Sequence, residues 1–246
     1  MRVAYLDPSS GVSGDLLLGA LVDVGVPLAV LQAAVDTLGG GGLSLKPATV
    51  LRHGVSGTRV DVTYPEQHEH RCLSDIVAMI AASGLPAGVR RQAIAVFTRL
   101  AEVEAAVHEV AVDEIHFHEV GAADALADVV GAVTGFDALA VERVLVGPVN
   151  VGSGRVTCAH GTLPVPAPAT AGLLEGWMCY VAGPRRELTT PTGAAVVTTL
   201  GEQVAAMPAL RVERAGHGAA SCDPPGWANV LRLVVGETAA LPPASS

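Results

Sequence analysis

Apolar and polar positions along the chain alternate in a way that puts short strands at both ends and helices between them. Arg2–Leu6 is a short apolar run of strand length. After the loop Asp7–Asp15, apolar residues recur at helical spacing through Leu16–Val24 and stop at Gly25. Pro27 opens a second helix that ends before Gly39–Gly42. Leu43–Arg52 and Thr58–Tyr64 alternate with a period of two, and His53–Gly57 between them reads as a hairpin turn. From Leu73 to Val107 the period is helical, broken at Ser83-Gly-Leu-Pro86. In its second half Ile94, Phe97, Leu100, Ala101 and Val107 form the core face. A further helix runs from about Gly121 towards Ala140. Arg143–Val149 reads as a strand, and residues 163–168 as an extended, polyproline-like wall. A short helix, a strand near Met178–Val181, a helix from Pro191, and strands at Leu210–Arg214 and Asn229–Val235 follow. The expected class is α+β, a mixed sheet from strands near both ends with a helical middle segment; α/β is the alternative. Residues 1–237 form the expected domain, with the helical stretch 66–142 a candidate subdomain. Residues 238–246 have the composition of a disordered tail.

Composition narrows the class. The chain has 246 residues, enough for a sizeable core. Half of the residues are apolar and mean hydropathy is +0.45, yet Gly, Pro or charge interrupts every apolar run before it reaches membrane-spanning length. No signal peptide is apparent at Met-Arg-Val-Ala-Tyr-Leu-Asp, so a cytoplasmic protein with no membrane partner is expected. A formal charge of −9 argues against a nucleic-acid partner and suits a handler of cations. Cys72, Cys158, Cys179 and Cys222 form no paired motif, so neither a disulfide framework nor a zinc ribbon is expected. Lys46 is the single lysine, which argues against a Walker-type phosphate loop or a Schiff-base enzyme. Arg185-Arg186 is the one basic pair late in the chain and reads as a solvated face.

The densest chemistry lies between Glu114 and Asp128: two histidines and four acids in a chain that is only 16% charged. Read as extended, Glu114–Val120 points His116 and His118 to one face. In the helix that follows, Asp124 and Asp128 stand one turn apart on an otherwise apolar helix. Two carboxylates so placed repel one another, and a cation removes that penalty. Imidazole with carboxylate suits nickel, zinc, copper or iron. Ordinary turn histidines, with aspartates that cap helices or pair with arginine, are the competing reading.

Other segments carry weaker signals, and each keeps a plain structural alternative. Asp7-Pro-Ser-Ser-Gly-Val-Ser-Gly-Asp15 joins a strand to a helix. Asp7 and Asp15 either hold a cation or serve the turn and the helix dipole, and Ser10, Ser13 and Gly14 either cradle an anion or shape the loop. His68-Glu-His70 is a second His-x-His pair that either joins His116 and His118 or lies in a solvated loop. Cys158-Ala-His160 either shares a metal or packs as core and turn. Thr190-Pro-Thr192-Gly193 opens a helix and is either a phosphate seat or a simple cap.

Taken in order, Tyr-Leu-Asp-x-x-Ser-Gly-x-Ser-Gly-Asp (5–15), Gly-x-Ser-Gly-Thr-Arg (54–59), His-x-His-Arg-x-Leu-x-Asp-Ile (68–76), His-Phe-His-Glu-Val-Gly-Ala-x-Asp-Ala (116–125), Ala-His-Gly-x-Leu-Pro-Val-Pro-Ala-Pro-Ala-Thr (159–170) and Thr-Pro-Thr-Gly-Ala-Ala (190–195) resemble the LarC family. These are the nickel-insertion proteins of the nickel-pincer nucleotide pathway, and the resemblance covers residues 1–237. It implies insertion of Ni(2+) into pyridinium-3,5-bisthiocarboxylic acid mononucleotide, with carbon–nickel and sulfur–nickel bonds formed, for lactate racemase and related enzymes. The implied class is a nickel-inserting lyase that uses CTP with Mg(2+) or Mn(2+). The CTP-handling part of the family lies beyond residue 246, so the chain matches the N-terminal portion, and a separate C-terminal CTP-binding portion is the expected partner. A homo-oligomer stays open. The metal candidates are then His68, His70, His116, His118, Asp124, Asp128 and His160. Ser10, Ser13, Gly14, Thr190, Thr192 and Gly193 are candidates to bind the nucleotide, and Glu119, Asp7 and Asp15 are the catalytic candidates. Around 66–70 the family is often richer in His than Glu66-Gln-His-Glu-His70. Two rival functions use the same residues: a metal-dependent phosphohydrolase and a non-catalytic nickel carrier.

Overall fold

A computed structural model describes residues 1–39, 42–64, 71–117, 123–158 and 161–238, with His116 and Ala123 described by backbone alone. The fold is α+β. Its main sheet has seven strands in the order β11-β6-β1-β13-β12-β3-β2. Here β1 is Arg2–Asp7, β2 Ser44–Arg52, β3 Val55–Thr63, β6 Arg143–Val146, β11 Gly201–Gln203, β12 Leu210–Ala219 and β13 Val230–Thr238. The first and last strands are central neighbours, antiparallel from Arg2↔Glu237 to Asp7↔Arg232. β6 runs parallel to β1, and β11 parallel to β6, which makes the sheet mixed.

Seven helices accompany the sheet among the described residues: α1 (Gly14–Asp23), α2 (Leu28–Asp36), α3 (Leu73–Ala82), α4 (Ala87–His108), α5 (Ala123–Ala138), α6 (Pro168–Leu173) and α7 (Pro191–Leu200). Side-chain alternation splits the apolar residues of β1 between the two sheet faces. Ala4 and Leu6 join the large core with Leu17, Phe97 and Leu233, while Val3 and Tyr5 pack with Leu145 and Val234 in a small second cluster. α5 is buried on nearly every side, with Leu126, Val129, Val130 and Val133 at most 1% exposed. Its position among α1, α2, α4 and α7 follows from that all-round apolarity. Each such side chain stabilises the fold by roughly 1.5–3 kcal/mol. Among the described residues no helix is long and apolar enough to cross a membrane.

Several boundaries differ from the sequence expectation, each for a local reason. The β2–β3 turn is two residues, His53 and Gly54, both at positive φ (46° and 84°), the signature of a tight primed turn. Strand pairing therefore continues through Arg52↔Val55 to Val50↔Gly57, where a longer turn was expected. Glu114 belongs to a 3-10 turn, Val112–Glu114, and the strand behind it, β5 (His116–Phe117), is short. Arg143–Val149 is not one strand. Pro148 lacks an N–H donor, so β6 ends at Val146 and a separate β7 (Val149–Asn150) pairs with β10 (Cys179–Tyr180). The proline wall is paired only through Pro164, the end of β9 (Gly161–Pro164); Ala167 keeps extended dihedrals (φ −62°, ψ 154°), and Pro168 already opens α6. β9 pairs with β8 (Arg155–Cys158). β12 outruns its expected length, to Ala219, and Gly216 and Gly218 explain what the extra residues do. A Cβ on Gly218 would stand 1.8 Å from Leu16 O, so α1 lies directly on the strand. That close approach brings the N-terminus of α1 to the end of β12.

Candidate functional site

Three helix starts converge on one cleft of about 430 Å³. The first is α1. Ser13, in extended conformation, precedes it, and its Oγ donates to Asp15 Oδ1. Asp15 Oδ1 also accepts from Leu16 N at 2.9 Å, and Oδ2 accepts from Ser221 N at 3.4 Å, across from the end of β12. The second is α5, whose first turn carries Asp124; its Oδ1 accepts from Ala125 N at 2.9 Å. The third is α7. Thr190 caps it by accepting from Gly193 N at 3.2 Å, and Pro191 follows in the first helical position.

A buried polar hinge holds the first and third starts together. Thr189 Oγ1 donates to Asn150 O at 2.8 Å and accepts from Val12 N at 3.2 Å. Thr190 N donates to Val12 O at 3.0 Å. Asn150, fully buried, donates to Ser9 O at 2.8 Å and Ala182 O at 3.1 Å and accepts from Gly152 N at 3.1 Å. These bonds are shielded from water, so they fix the loop before α1 against the segment before α7.

Asp128 is the anomaly of the site. It lies one turn beyond Asp124 in the cleft wall, and its Oδ1 is buried without a hydrogen-bond partner. Burial, then the charges of Asp15 and Asp124, raises its carboxyl well above the usual carboxylate range. Its side chain rests on Gly14, where an added Cβ would meet Asp128 Oδ2 at 2.0 Å. Gly14 is therefore the residue that lets a carboxylate reach this depth. Asp15, Asp124 and Asp128 interact within a cleft that Asp61 and Glu187 also line, and with Asp128 desolvated and unpaired this is an environment that a cation would relieve.

The expected site residues divide into groups. Ser13, Gly14, Asp15, Asp124, Asp128, Thr190 and Thr192 line the cleft. Gly193 backs onto the preceding loop: a Cβ there would lie 2.2 Å from Val12 O, so its absence of a side chain serves packing. Ser10 is turned away, donating to Ala228 O at 2.8 Å, and Asp7 is ion-paired with Arg232 at 2.6 Å at the strand end. Neither lines the cleft. His68, His70, His118, Glu119 and His160 lie outside the described residues. The backbone of His116 pairs with Cys72, in the ladder between β4 (Arg71–Cys72) and β5. Among the described residues no group of three or more His, Cys, Asp or Glu is arranged to hold a metal, so the acids of the cleft alone are not a complete ligand set. Sequence reasoning missed Asp61, Glu187 and Ser221, which also line the cleft. Asp61 sits in an ordinary strand pattern and Ser221 in a loop, and only the tertiary fold brings them near Asp15.

The comparisons with known proteins agree on one family. The family model described as nickel insertion protein matches residues 4–245. The chain is 50% identical over 236 residues to the pyridinium-3,5-bisthiocarboxylic acid mononucleotide nickel insertion protein of Nocardioides sp., covering 96% of this chain and 60% of the relative. It is 48% identical over 239 residues to the protein of the same description from Desulfitobacterium hafniense, covering 97% and 59%. A putative nickel insertion protein of Thermomicrobium roseum is 47% identical over 245 residues, covering 98% and 60%. The chain thus spans about 60% of the length of these curated relatives. No solved structure matches it.

Proposed function

The chain belongs to the nickel insertion protein family, and on that premise we propose that it places Ni(2+) into pyridinium-3,5-bisthiocarboxylic acid mononucleotide, the acceptor in its relatives' names. Nickel is the cargo and the mononucleotide the acceptor. The observation that carries the proposal is the buried, unpartnered Asp128 carboxylate beside Asp15 and Asp124, in a cleft ringed by three helix starts. Carboxylates suit the cation, and free N–H groups at helix starts suit the phosphate of a nucleotide.

Asp124 and Asp128 act in this reading with His116, His118, His68, His70 and His160 as the nickel donors. The pairing of Arg71 with Phe117 supports bringing the two histidine segments together, since these residues adjoin His70 and His118 in the chain. Imidazole and carboxylate hold Ni(2+) less softly than thiocarboxylate sulfur and an aromatic carbanion do, so transfer to the acceptor runs downhill. Formation of the carbon–nickel bond requires loss of the ring C–H proton; Glu119 or a nearby histidine is the proposed base, and Asp7 and Asp15 are the other catalytic candidates. Thr190, Thr192 and Ser13 face the acceptor's phosphate. CTP with Mg(2+) or Mn(2+) enters through a C-terminal portion of the family that docks on this chain. The reaction class is then a nickel-inserting lyase acting in nickel-pincer cofactor biosynthesis in the cytoplasm.

A maturation assay with Ni(2+), CTP and the metal-free mononucleotide, with and without the C-terminal portion, tests the proposal. Nickel-loaded product on mixing the two portions is expected. Nickel binding with no effect on the acceptor would leave only a carrier. Mn(2+)-dependent turnover of a simple phosphate ester would favour a phosphohydrolase, the reading that the same meeting of acids and a helix start at Thr190 would serve.

A further inference from the structure

Beside the acidic compartment the cleft opens into a second one of about 380 Å³. Ser13, Asp15, Glu187, Thr190 and Ser221 border both, so the two are neighbours. What the second compartment adds is two basic residues in its lining, Arg155 and Arg186. Arg155 is anchored, its Nη2 donating to Thr162 O at 2.9 Å. Arg186 Nε is buried and has no hydrogen-bond partner. Charged donors are seldom left in that state, because a missing partner costs more for them than for neutral groups.

The backbone that carries Arg186 is firmly held. Its N–H donates to Pro184 O at 2.9 Å, and its carbonyl accepts from Ser153 N at 3.0 Å. A Cβ on Gly152 would come within 2.1 Å of that carbonyl, so the turn seats against a site only glycine fits. Of the basic pair expected on a solvated face, Arg185 is exposed, but Arg186 turns into the cleft. The capped start of α7 at Thr190 and the hydroxyls of Thr157 and Ser221 stand in the same lining, while the Ser13 hydroxyl is committed to Asp15. In a chain of net charge −9, with Asp15 and Glu187 both on the border, a bound anion needs this local compensation.

We infer that Arg186, assisted by Arg155, is the seat for a phosphate ester, placed beside the cation compartment so that anion and metal are held next to each other. The inference rests on the nickel-insertion reading for the identity of its ligand. A planar guanidinium grips phosphate through paired N–H donors, which hydroxyls and a helix start alone do not provide. The phosphate comes either from the acceptor mononucleotide or from CTP.

Calorimetric titration of the chain with three probes tests the inference: the metal-free mononucleotide, its dephosphorylated nucleoside, and CTP. The wild type is expected to bind a phosphate-bearing probe and to discriminate against the nucleoside. Arg186→Gln should weaken binding of that probe by about tenfold to a hundredfold, the scale of one charge-assisted hydrogen-bond pair, while leaving nucleoside binding alone. Arg155→Gln should act in the same direction by less, and Arg186→Lys should recover part of the loss. Weakening confined to the mononucleotide, or confined to CTP, identifies the source of the phosphate, and either supports the seat. Circular dichroism and urea midpoints check that the variants are folded. Wild-type indifference to the phosphate, or folded Arg186→Gln and Arg155→Gln proteins that discriminate as the wild type does, would overturn the inference. A chain that discriminates through Arg186 but never inserts nickel with its C-terminal portion would instead sink the nickel-insertion reading and leave the seat standing.

Discussion

Gly14→Ala is the sharpest test of how the acidic cleft is built. The added Cβ would stand 2.0 Å from Asp128 Oδ2, 2.2 Å from its Cγ and 2.5 Å from its Cβ. Relaxed carbon–carbon contacts are about 3.5–4.0 Å, so the overlap is about 1 Å or more on every atom. Rotating Asp128 about χ1 moves the carboxylate but not its Cβ. Relief therefore requires α1 and α5 to separate, and both helices belong to the same core. Overpacking of that kind costs about 1–3 kcal/mol, against which alanine in place of glycine in a helix returns up to about 1 kcal/mol. The net expectation is a loss of about 1–2 kcal/mol, or roughly 2–8 °C in Tm for a protein of this size. Gly88→Ala is the matched control, since it lies in α4 with nothing within 4 Å of its added Cβ, and it should be neutral or stabilising by up to about 1 kcal/mol. Urea titration of both variants, with unchanged m-values, measures the difference. The nickel affinity of Gly14→Ala should fall as well, because Asp128 is displaced. Gly14→Ala unfolding at or above the wild-type urea concentration would refute the packing argument.

Three further outcomes follow from the same geometry. Burial, then Asp15 and Asp124, raises the Asp128 carboxyl in the folded protein, so the unfolded chain releases that proton first. Metal-free stability should fall as pH climbs from about 4 towards the raised value, and Asp128→Asn should flatten the fall; urea midpoints between pH 4 and 7 that run parallel for the two proteins would contradict this. Calorimetry with Ni(2+) on Asp124→Asn and on the double variant His116→Ala/His118→Ala should show affinity lowered by about tenfold or more in each, and unchanged affinity would remove those residues from the ligand set. Thr190→Ala deletes the hydroxyl that accepts from Gly193 N at 3.2 Å and should cost about 1 kcal/mol in urea unfolding; an unshifted midpoint would show that the hinge at Thr189, not the cap, holds the start of α7.

Much of the site was legible because it is local. Ser13 before a helix, Thr190-Pro191 at the start of another, and Asp124 and Asp128 one turn apart are all relations within a few residues, where helix geometry alone sets direction. The limits appear where position depends on distant partners. Ser10 and Asp7 belong to the same loop and strand end as Ser13 and Asp15, yet Ala228 O and Arg232, more than 200 residues away, draw them off the cleft. Gly216 and Gly218 carried no usable signal alone, since their purpose is the close approach of α1, some 200 residues earlier in the chain, to the strand they lie in.

By itself the sequence determined the helices and the longer strands, since apolar periodicity, proline and glycine act on the nearest turn or strand, while short strands such as β8 and β11 emerged only in the fold. It also carried the family, because six ordered motifs are a linear property. Only the tertiary structure decided which of the polar residues meet. It paired β1 with β13 across the length of the chain, laid α1 on β12, and so set Ser221 against Asp15. It turned Arg186 inward while its neighbour Arg185 stayed exposed. The reason is physical: burial and electrostatic coupling depend on distance in space, and contacts between residues far apart in the chain are set by how the whole core packs.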